Sequence, residues 1–156
     1  MAVYTRVQED ELEQFLNDYD IGVATSFSGI TEGVENSNFR LSTTKGEYIL
    51  TLYEKRVNVD DLPFFIGLMR HLSDRGISCP LPVADKSGIV LKKLNDRAAA
   101  IVTFLNGTSS NHPNAARCYS AGQSLAQLHI AATDFTIDRP NALNSTAWTP
   151  LLAAAA

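Results

Sequence analysis

The sequence predicts an α+β fold: an antiparallel sheet of about five strands with helices, followed by the start of a second, helical part. Short β-favouring runs broken by glycine turns fill residues 22–53, and helical periodicity occurs on both sides of them. The order of elements also lacks the regular strand–helix alternation of a parallel sheet. The strands are therefore expected to pair antiparallel.

The first element is an amphipathic helix. Thr5 followed three residues later by Gln8 has the form of a capping box, which predicts a helix start. Apolar residues then recur at helical spacing on one face: Leu12, Phe15, Leu16 and Tyr19.

Residues 38–43 and 47–54 are predicted as the two arms of a hairpin around a Thr-Lys-Gly turn at 44–46. A second helix follows over 62–75, with Asp60 or Asp61 as its cap, Pro63 in its first turn and Gly76 at its end. Its apolar stripe consists of Leu62, Phe65, Ile66, Met69 and Leu72.

Two prolines make residues 77–83 extended, because Pro80 and Pro82 do not fit a helix interior. A turn at 85–88, a short strand at 89–91, a second turn at 95–97 and an apolar strand at 98–105 complete the predicted sheet.

A polar, glycine-containing segment at 106–111 is the predicted linker between two parts. We therefore expect a first lobe over 1–105, a linker over 106–112 and the beginning of a second lobe over 113–156. The second part contains a helix after Pro113, an irregular tail from 138 onward and the opening of a further helix at 151–156. One face of the helix after Pro113 carries Cys118, Tyr119, Gly122, Leu125, Ala126 and His129.

Composition excludes several classes of protein. The chain is 45% hydrophobic and 19% charged, which is typical of a globular domain, and its net charge of -4 disfavours nucleic-acid binding. No signal peptide or membrane-spanning run is recognisable, so we expect a cytoplasmic protein. Cys79 and Cys118 are expected to be reduced thiols, and the histidines have no metal-ligand spacing that would indicate zinc.

A candidate phosphate-binding turn lies between two predicted strands. Gly33 stands there among small polar residues, so backbone N–H groups could approach phosphate oxygens. An ordinary hairpin connection would account for the same residues. The segment is neither a Walker A loop nor the Gly-x-Gly-x-x-Gly loop of protein kinases.

Seven segments together resemble the bacterial homoserine kinases of the aminoglycoside-phosphotransferase and choline-kinase-like group. They are EGVENSNF at 32–39, YILTLYEKR at 48–56, LPFF at 62–65, CPLPV at 79–83, AIVTFLNG at 100–107, GQSLAQLH at 122–129 and RPNAL at 139–143. The resemblance implies a protein-kinase-like N-lobe followed by the start of a helical C-lobe.

It also implies ATP and Mg²⁺ as cofactors and L-homoserine as substrate, phosphorylated to O-phosphohomoserine for threonine biosynthesis. The turn over the ATP phosphates would be Gly33, Val34, Glu35, Asn36, Ser37 and Asn38. The hinge that contacts adenine would be Thr103, Phe104 and Leu105.

Thr51 stands where related kinases carry a lysine or arginine for the phosphates. Lys55 or Arg56 could substitute, or both could be solvated residues at a strand end. The predicted helix over 62–75 contains no glutamate to pair with such a cation.

The catalytic residues of the group are not recognisable in this sequence. The resemblance places the catalytic aspartate, the asparagine and the magnesium ligands beyond the last residue, so we expect a truncated chain that has no turnover alone. Asp134 begins an Asp-Phe-Thr sequence that we interpret as a chance match to Asp-Phe-Gly. Two alternatives stay open: a kinase for choline, methylthioribose or an aminoglycoside, and a non-catalytic nucleotide-binding or interaction module.

Overall fold

The computed structural model describes residues 3–141 and 144–155. The helices are α1 (Glu9–Leu16), α2 (Leu62–Asp74), α3 (Ala115–Ala131) and α4 (Ser145–Ala155), and a 3₁₀ helix at Val59–Asp61 precedes α2. The strands are β1 (Ala24–Ile30), β2 (Ser37–Thr43), β3 (Gly46–Tyr53), β4 (Pro82–Val83), β5 (Lys92–Leu94) and β6 (Arg97–Thr103).

These strands form one sheet in the order β1-β2-β3-β6-β4, and β5 also pairs with β6. Every pairing is antiparallel. The predicted hairpin is confirmed, since Thr43 pairs with Gly46 across a two-residue connection. The α+β class is confirmed, with six strands in the described residues instead of about five.

One face of the sheet packs against α1. Leu41, Leu50 and Leu52 are fully buried there, and all four predicted apolar residues of the first helical segment join the same cluster. The predicted cap was wrong: the helix begins after Gln8, whose backbone N–H donates to Glu11 at 2.7 Å. The backbone N–H of Thr5 donates instead to Ser37 Oγ, at 3.0 Å.

The opposite face packs against α2, where Ile66 contacts a cluster with Val90 and Ala100. The predicted extent of this helix is confirmed, and Gly76 follows it with φ +78°. Asp61, one of the two predicted caps, occupies the N-cap position, but its side chain makes no capping hydrogen bond. Asn58 caps the 3₁₀ helix by accepting a hydrogen bond from the backbone of Asp60 at 3.2 Å.

The predicted strand at 89–91 was wrong, and β5 lies three residues later. Asn95 and Asp96 both have positive φ, 50° and 58°, which is the two-residue turn of a tight hairpin. Such a turn requires the strand to end immediately before it, so Leu94 pairs with Arg97.

Residues 104–114 contain neither helix nor strand and lead into α3. No residue of α3 is buried. The tail predicted as irregular from 138 onward contains α4, which begins where Asn144 Oδ1 accepts the backbone N–H of Thr146 and of Ala147, each at 3.1 Å. Met1, Ala2, Ala142, Leu143 and Ala156 lie outside the described residues.

In the described part of the chain, no helix is both long and apolar enough to cross a membrane.

Candidate functional site

The connection between β1 and β2 contains four of the predicted phosphate-contacting residues: Gly33, Val34, Glu35 and Asn36. Gly33 has φ +111°, a backbone conformation that favours glycine. Within the described ranges, the backbone N–H groups of residues 32–35 donate to no protein acceptor. These N–H groups are available to an anionic ligand.

Ser37 and Asn36 hold the base of this turn. Ser37 is fully buried; its hydroxyl accepts the backbone N–H of Tyr4 at 2.8 Å and donates to Glu54 Oε1 at 2.6 Å. Asn36 Oδ1 accepts the backbone N–H of Glu54 at 3.4 Å. Ser37 therefore fixes the start of β2, and its hydroxyl is hydrogen-bonded to groups of the protein itself.

Glu54 joins the turn to the centre of the sheet. Its Oε2 accepts a hydrogen bond of 2.8 Å from Nε of Arg97, which is the first residue of β6. Burial alone would raise the pKa of this carboxyl, but hydrogen bonds from Ser37, Thr5 and Arg97, with the charge of Arg97, lower it overall. Glu54 is thus an ionised partner for Arg97 at neutral pH.

Lys55 and Arg56 lie in the turn after β3, separated from it by Glu54, and are exposed. They line a cavity of about 270 Å³ with Val34 and Glu35 of the turn; the other lining residues are Tyr4, Glu54 and Arg97. No protein hydrogen bond or ion pair engages either side chain in the described ranges. Two free cations therefore stand beside the turn and its free N–H groups.

Arg56 also lines a second cavity, of about 610 Å³, between the turn and the start of α2. Arg139 also lines this cavity. Its Nε lies 2.7 Å from Asp61 Oδ2, and its guanidinium carbon lies 5.1 Å from the centre of the Phe65 ring. Because Asp61 neutralises Arg139, Arg56 is the cation here that has no ion-pair partner among the described residues, and the carboxylate of Glu35 lines the same cavity.

Thr51 and Asn38 lie in a row across the sheet. Thr51 Oγ1 donates to Asn38 Oδ1 at 2.8 Å, and Ala100 of β6 is the next residue in the row. Both side chains are partly buried and uncharged. Thr51 thus contributes a hydroxyl where the resemblance implies a cation.

The predicted hinge lies at the opposite end of the sheet from the turn. Thr103, the last residue of β6, exchanges two hydrogen bonds of 2.9 Å with the backbone of Leu81, and the backbone N–H of Phe104 donates to Glu47 at 3.0 Å. Leu105 is 44% exposed, and its N–H donates to no acceptor in the described residues. A ligand edge could pair with the backbone at this residue.

The guanidinium of Arg40 lies 4.6 Å from the centre of the Phe104 ring. Arg40 also forms an ion pair of 3.1 Å with Glu47. Ile49 and Val102 lie beside Arg40 in one row across the sheet, and both are partly buried.

Sequence reasoning missed the contribution of Tyr4, whose hydroxyl donates to the carbonyl of Val34 at 3.0 Å. It also missed the ion pair between Glu54 and Arg97. No sequence spacing connects residues 30 or 43 positions apart, so neither contact had a local signal.

Asp134 lies elsewhere, at the end of α2 opposite the turn. It pairs with Arg75 and with His71 at 3.2 Å, and the hydrogen bond from Arg75 lowers the pKa of its carboxyl. In residues 3–141 and 144–155 no group of three or more His, Cys, Asp or Glu side chains is arranged to hold a metal ion.

This fold is shared with small-molecule phosphotransferases. The structure superposes on spectinomycin phosphotransferase in complex with ADP and spectinomycin with a TM-score of 0.69 at 16% identity, over 96% of this chain and 46% of that one. A microcompartment-associated aminopropanol kinase gives a TM-score of 0.65 at 15% identity, over 92% of this chain and 48% of that one.

A family model described as the phosphotransferase enzyme family matches residues 26–156, and the chain belongs to this family. It is 61% identical over 155 residues to a homoserine kinase of Xanthobacter autotrophicus, covering 99% of this chain and 48% of the relative. It is 56% identical to a homoserine kinase of Bradyrhizobium diazoefficiens, covering 100% of this chain and 48% of the relative. The predicted resemblance is confirmed, and the chain spans about half the length of these curated relatives.

Proposed function

We propose that this chain is the nucleotide-binding part of a homoserine kinase, which transfers the γ-phosphate of ATP to the side-chain hydroxyl of L-homoserine and gives O-phosphohomoserine. The observation that carries the proposal is the 61% identity over 155 residues to a protein of that name. The match covers 99% of this chain and so includes the residues of the turn, the sheet and the predicted hinge.

In this proposal the residues 32–35 bind phosphate oxygens through their free N–H groups, and Lys55 and Arg56 offset the phosphate charge. Glu32 and Glu35 add two negative charges to the turn itself, so a nearby cation is needed for an anionic ligand to bind. The partly buried side chains of Ile49 and Val102 on the sheet face cover the nucleoside, and the backbone at Leu105 meets the adenine edge.

Phosphoryl transfer also requires groups that orient the acceptor and hold magnesium. The described residues offer no cluster suited to a metal ion, and we assign no step to magnesium here. We place the catalytic aspartate and asparagine in the half of the enzyme that the relatives have and this chain does not span. The first lobe then covers 1–105, the linker 106–112, and the second lobe begins at 113.

The test uses a hybrid in which this chain replaces the matched portion of the Xanthobacter autotrophicus homoserine kinase. We expect coupled ADP release with L-homoserine and none with choline. The unaltered relative is the positive control, and the 156-residue chain alone should give no turnover.

A folded hybrid that turns over choline and ignores homoserine would reassign the substrate. A folded hybrid that is inactive with both would contradict the assignment to homoserine kinase. Turnover by the isolated chain would show that the transfer residues lie within it.

A further inference from the structure

The segment that precedes α1 lies across the base of the candidate phosphate turn. Val3 packs against Gly29 of β1, where an added Cβ would come within 2.8 Å of the Val3 side chain. The next two backbone N–H groups, of Tyr4 and Thr5, both donate to Ser37 Oγ, at 2.8 and 3.0 Å. Residues 3–5 therefore form a strap that is bound to β1 and β2.

Tyr4 extends this strap to the tip of the turn. Its hydroxyl donates to the backbone carbonyl of Val34 at 3.0 Å, and its side chain lines the cavity that Lys55 and Arg56 also line. Val34 itself is 72% exposed, and the N–H groups around it have no protein acceptor. Among the described residues, the Tyr4 hydroxyl is the one group that hydrogen-bonds to the backbone of residues 33–35.

We propose that Tyr4 is a positioning residue that holds the Val34 peptide group, and so the phosphate turn, in its ligand-binding conformation. This inference rests on the proposed function, because it assumes that the turn binds the ATP phosphates.

The physical basis is preorganisation of an exposed loop. Fixing the carbonyl of Val34 orients the peptide unit that contains the N–H of Glu35, because carbonyl and N–H of one peptide are coplanar. A turn that is already ordered loses less conformational entropy when a ligand binds. The ordered turn therefore strengthens binding of the phosphates. It leaves binding of adenine unchanged, because the predicted hinge lies at the other end of the sheet.

The test measures ATP and adenosine affinity of the chain by titration calorimetry, for the unsubstituted protein and for Tyr4→Phe. We expect Tyr4→Phe to weaken ATP binding about two- to tenfold, the range of one hydrogen bond, and to leave adenosine affinity unchanged. Hydrogen exchange at residues 33–36 should accelerate in the free variant, while the thermal midpoint stays constant because Tyr4 is 58% exposed.

Tyr119→Phe is the matched control: this tyrosine is 75% exposed on α3 and should change none of these quantities. Tyr4→Ala, which also removes the ring, should reproduce the loss of ATP affinity. A general structural effect would weaken ATP and adenosine alike and lower the midpoint, and that pattern would overturn the inference. If Tyr4→Phe and the unsubstituted chain bind ATP with equal affinity, the role of Tyr4 is wrong and the proposed function stands. If the unsubstituted chain does not bind ATP, both the role of Tyr4 and the proposed function are wrong.

Discussion

Glu54 is the buried charge at the centre of the network below the turn, with its carboxylate bound by Ser37 and Arg97. Its folded-state pKa lies below the ordinary value of 4.5. The ionised carboxylate therefore stabilises the fold above that value, and this contribution is lost as the pH falls through the lower folded-state pKa.

We expect Glu54→Gln to lower the free energy of unfolding at pH 7 by about 1–3 kcal/mol, because Arg97 loses a charged partner. The variant should also lose less stability than the unsubstituted chain as the pH falls below 4.5 and through the folded-state pKa of Glu54. Urea unfolding at several pH values measures both effects. Glu13→Gln, at an exposed site on α1, is the control and should leave the pH dependence intact.

Tyr19 gives a prediction of opposite sign. Its hydroxyl is buried without a hydrogen-bond partner in the described residues, and burial raises its pKa, with further contributions from the charges of Asp85 and Asp18. Tyr19→Phe removes the unpaired group and should stabilise the protein by about 1 kcal/mol. Thermal unfolding measures this gain, with Tyr48→Phe as the control at a partly exposed site; a lower midpoint for Tyr19→Phe would contradict the prediction.

At the scale of elements, Arg139 connects the segment after α3 to the start of α2 through Asp61 and Phe65. Both members of the ion pair are partly exposed, so we expect Arg139→Ala to cost only about 1 kcal/mol. The larger effect should be local, with faster hydrogen exchange over 135–141. Arg70→Ala, at an exposed position of α2, is the control and should leave the hydrogen exchange over 135–141 unchanged.

The helices and strands differ in how well the sequence predicts them. The α1 face, the β2–β3 hairpin and the extent of α2 were predicted because each has a local signal in its periodicity or its turn residues. The position of β5 was missed because Ile89 and Val90 are β-favouring, although Val90 is buried in the connection and the turn at Asn95 and Asp96 fixes the strand. In the candidate site, the turn and the hinge could be proposed from the sequence, whereas contacts such as Tyr4 with Val34 depend on the folded sheet.

At the scale of the whole molecule, α3 and α4 expose apolar side chains: Tyr119, Leu125, Ile130, Trp148, Leu151 and Leu152. Exposed apolar side chains of this size favour association. We expect the purified chain to self-associate with increasing concentration, as measured by sedimentation velocity.

The double substitution Leu125→Ser and Ile130→Ser should shift the chain toward monomer. Ile89→Ser is the control, since this residue is 52% exposed but lies outside the two helices. Monomer at all concentrations for the unsubstituted chain would contradict this prediction.

The sheet order has a consequence for how the chain reaches its fold. Strands β1, β2 and β3 are neighbours in sequence, so their pairing closes short loops, whereas pairing of Tyr53 with Ala98 joins residues 45 positions apart. Closing the longer loop costs more chain entropy, and distant contacts form more slowly than local ones. The three-stranded meander that contains the Gly33 turn should therefore assemble first, and β6, with the predicted hinge at its end, should pair with it in a later kinetic step.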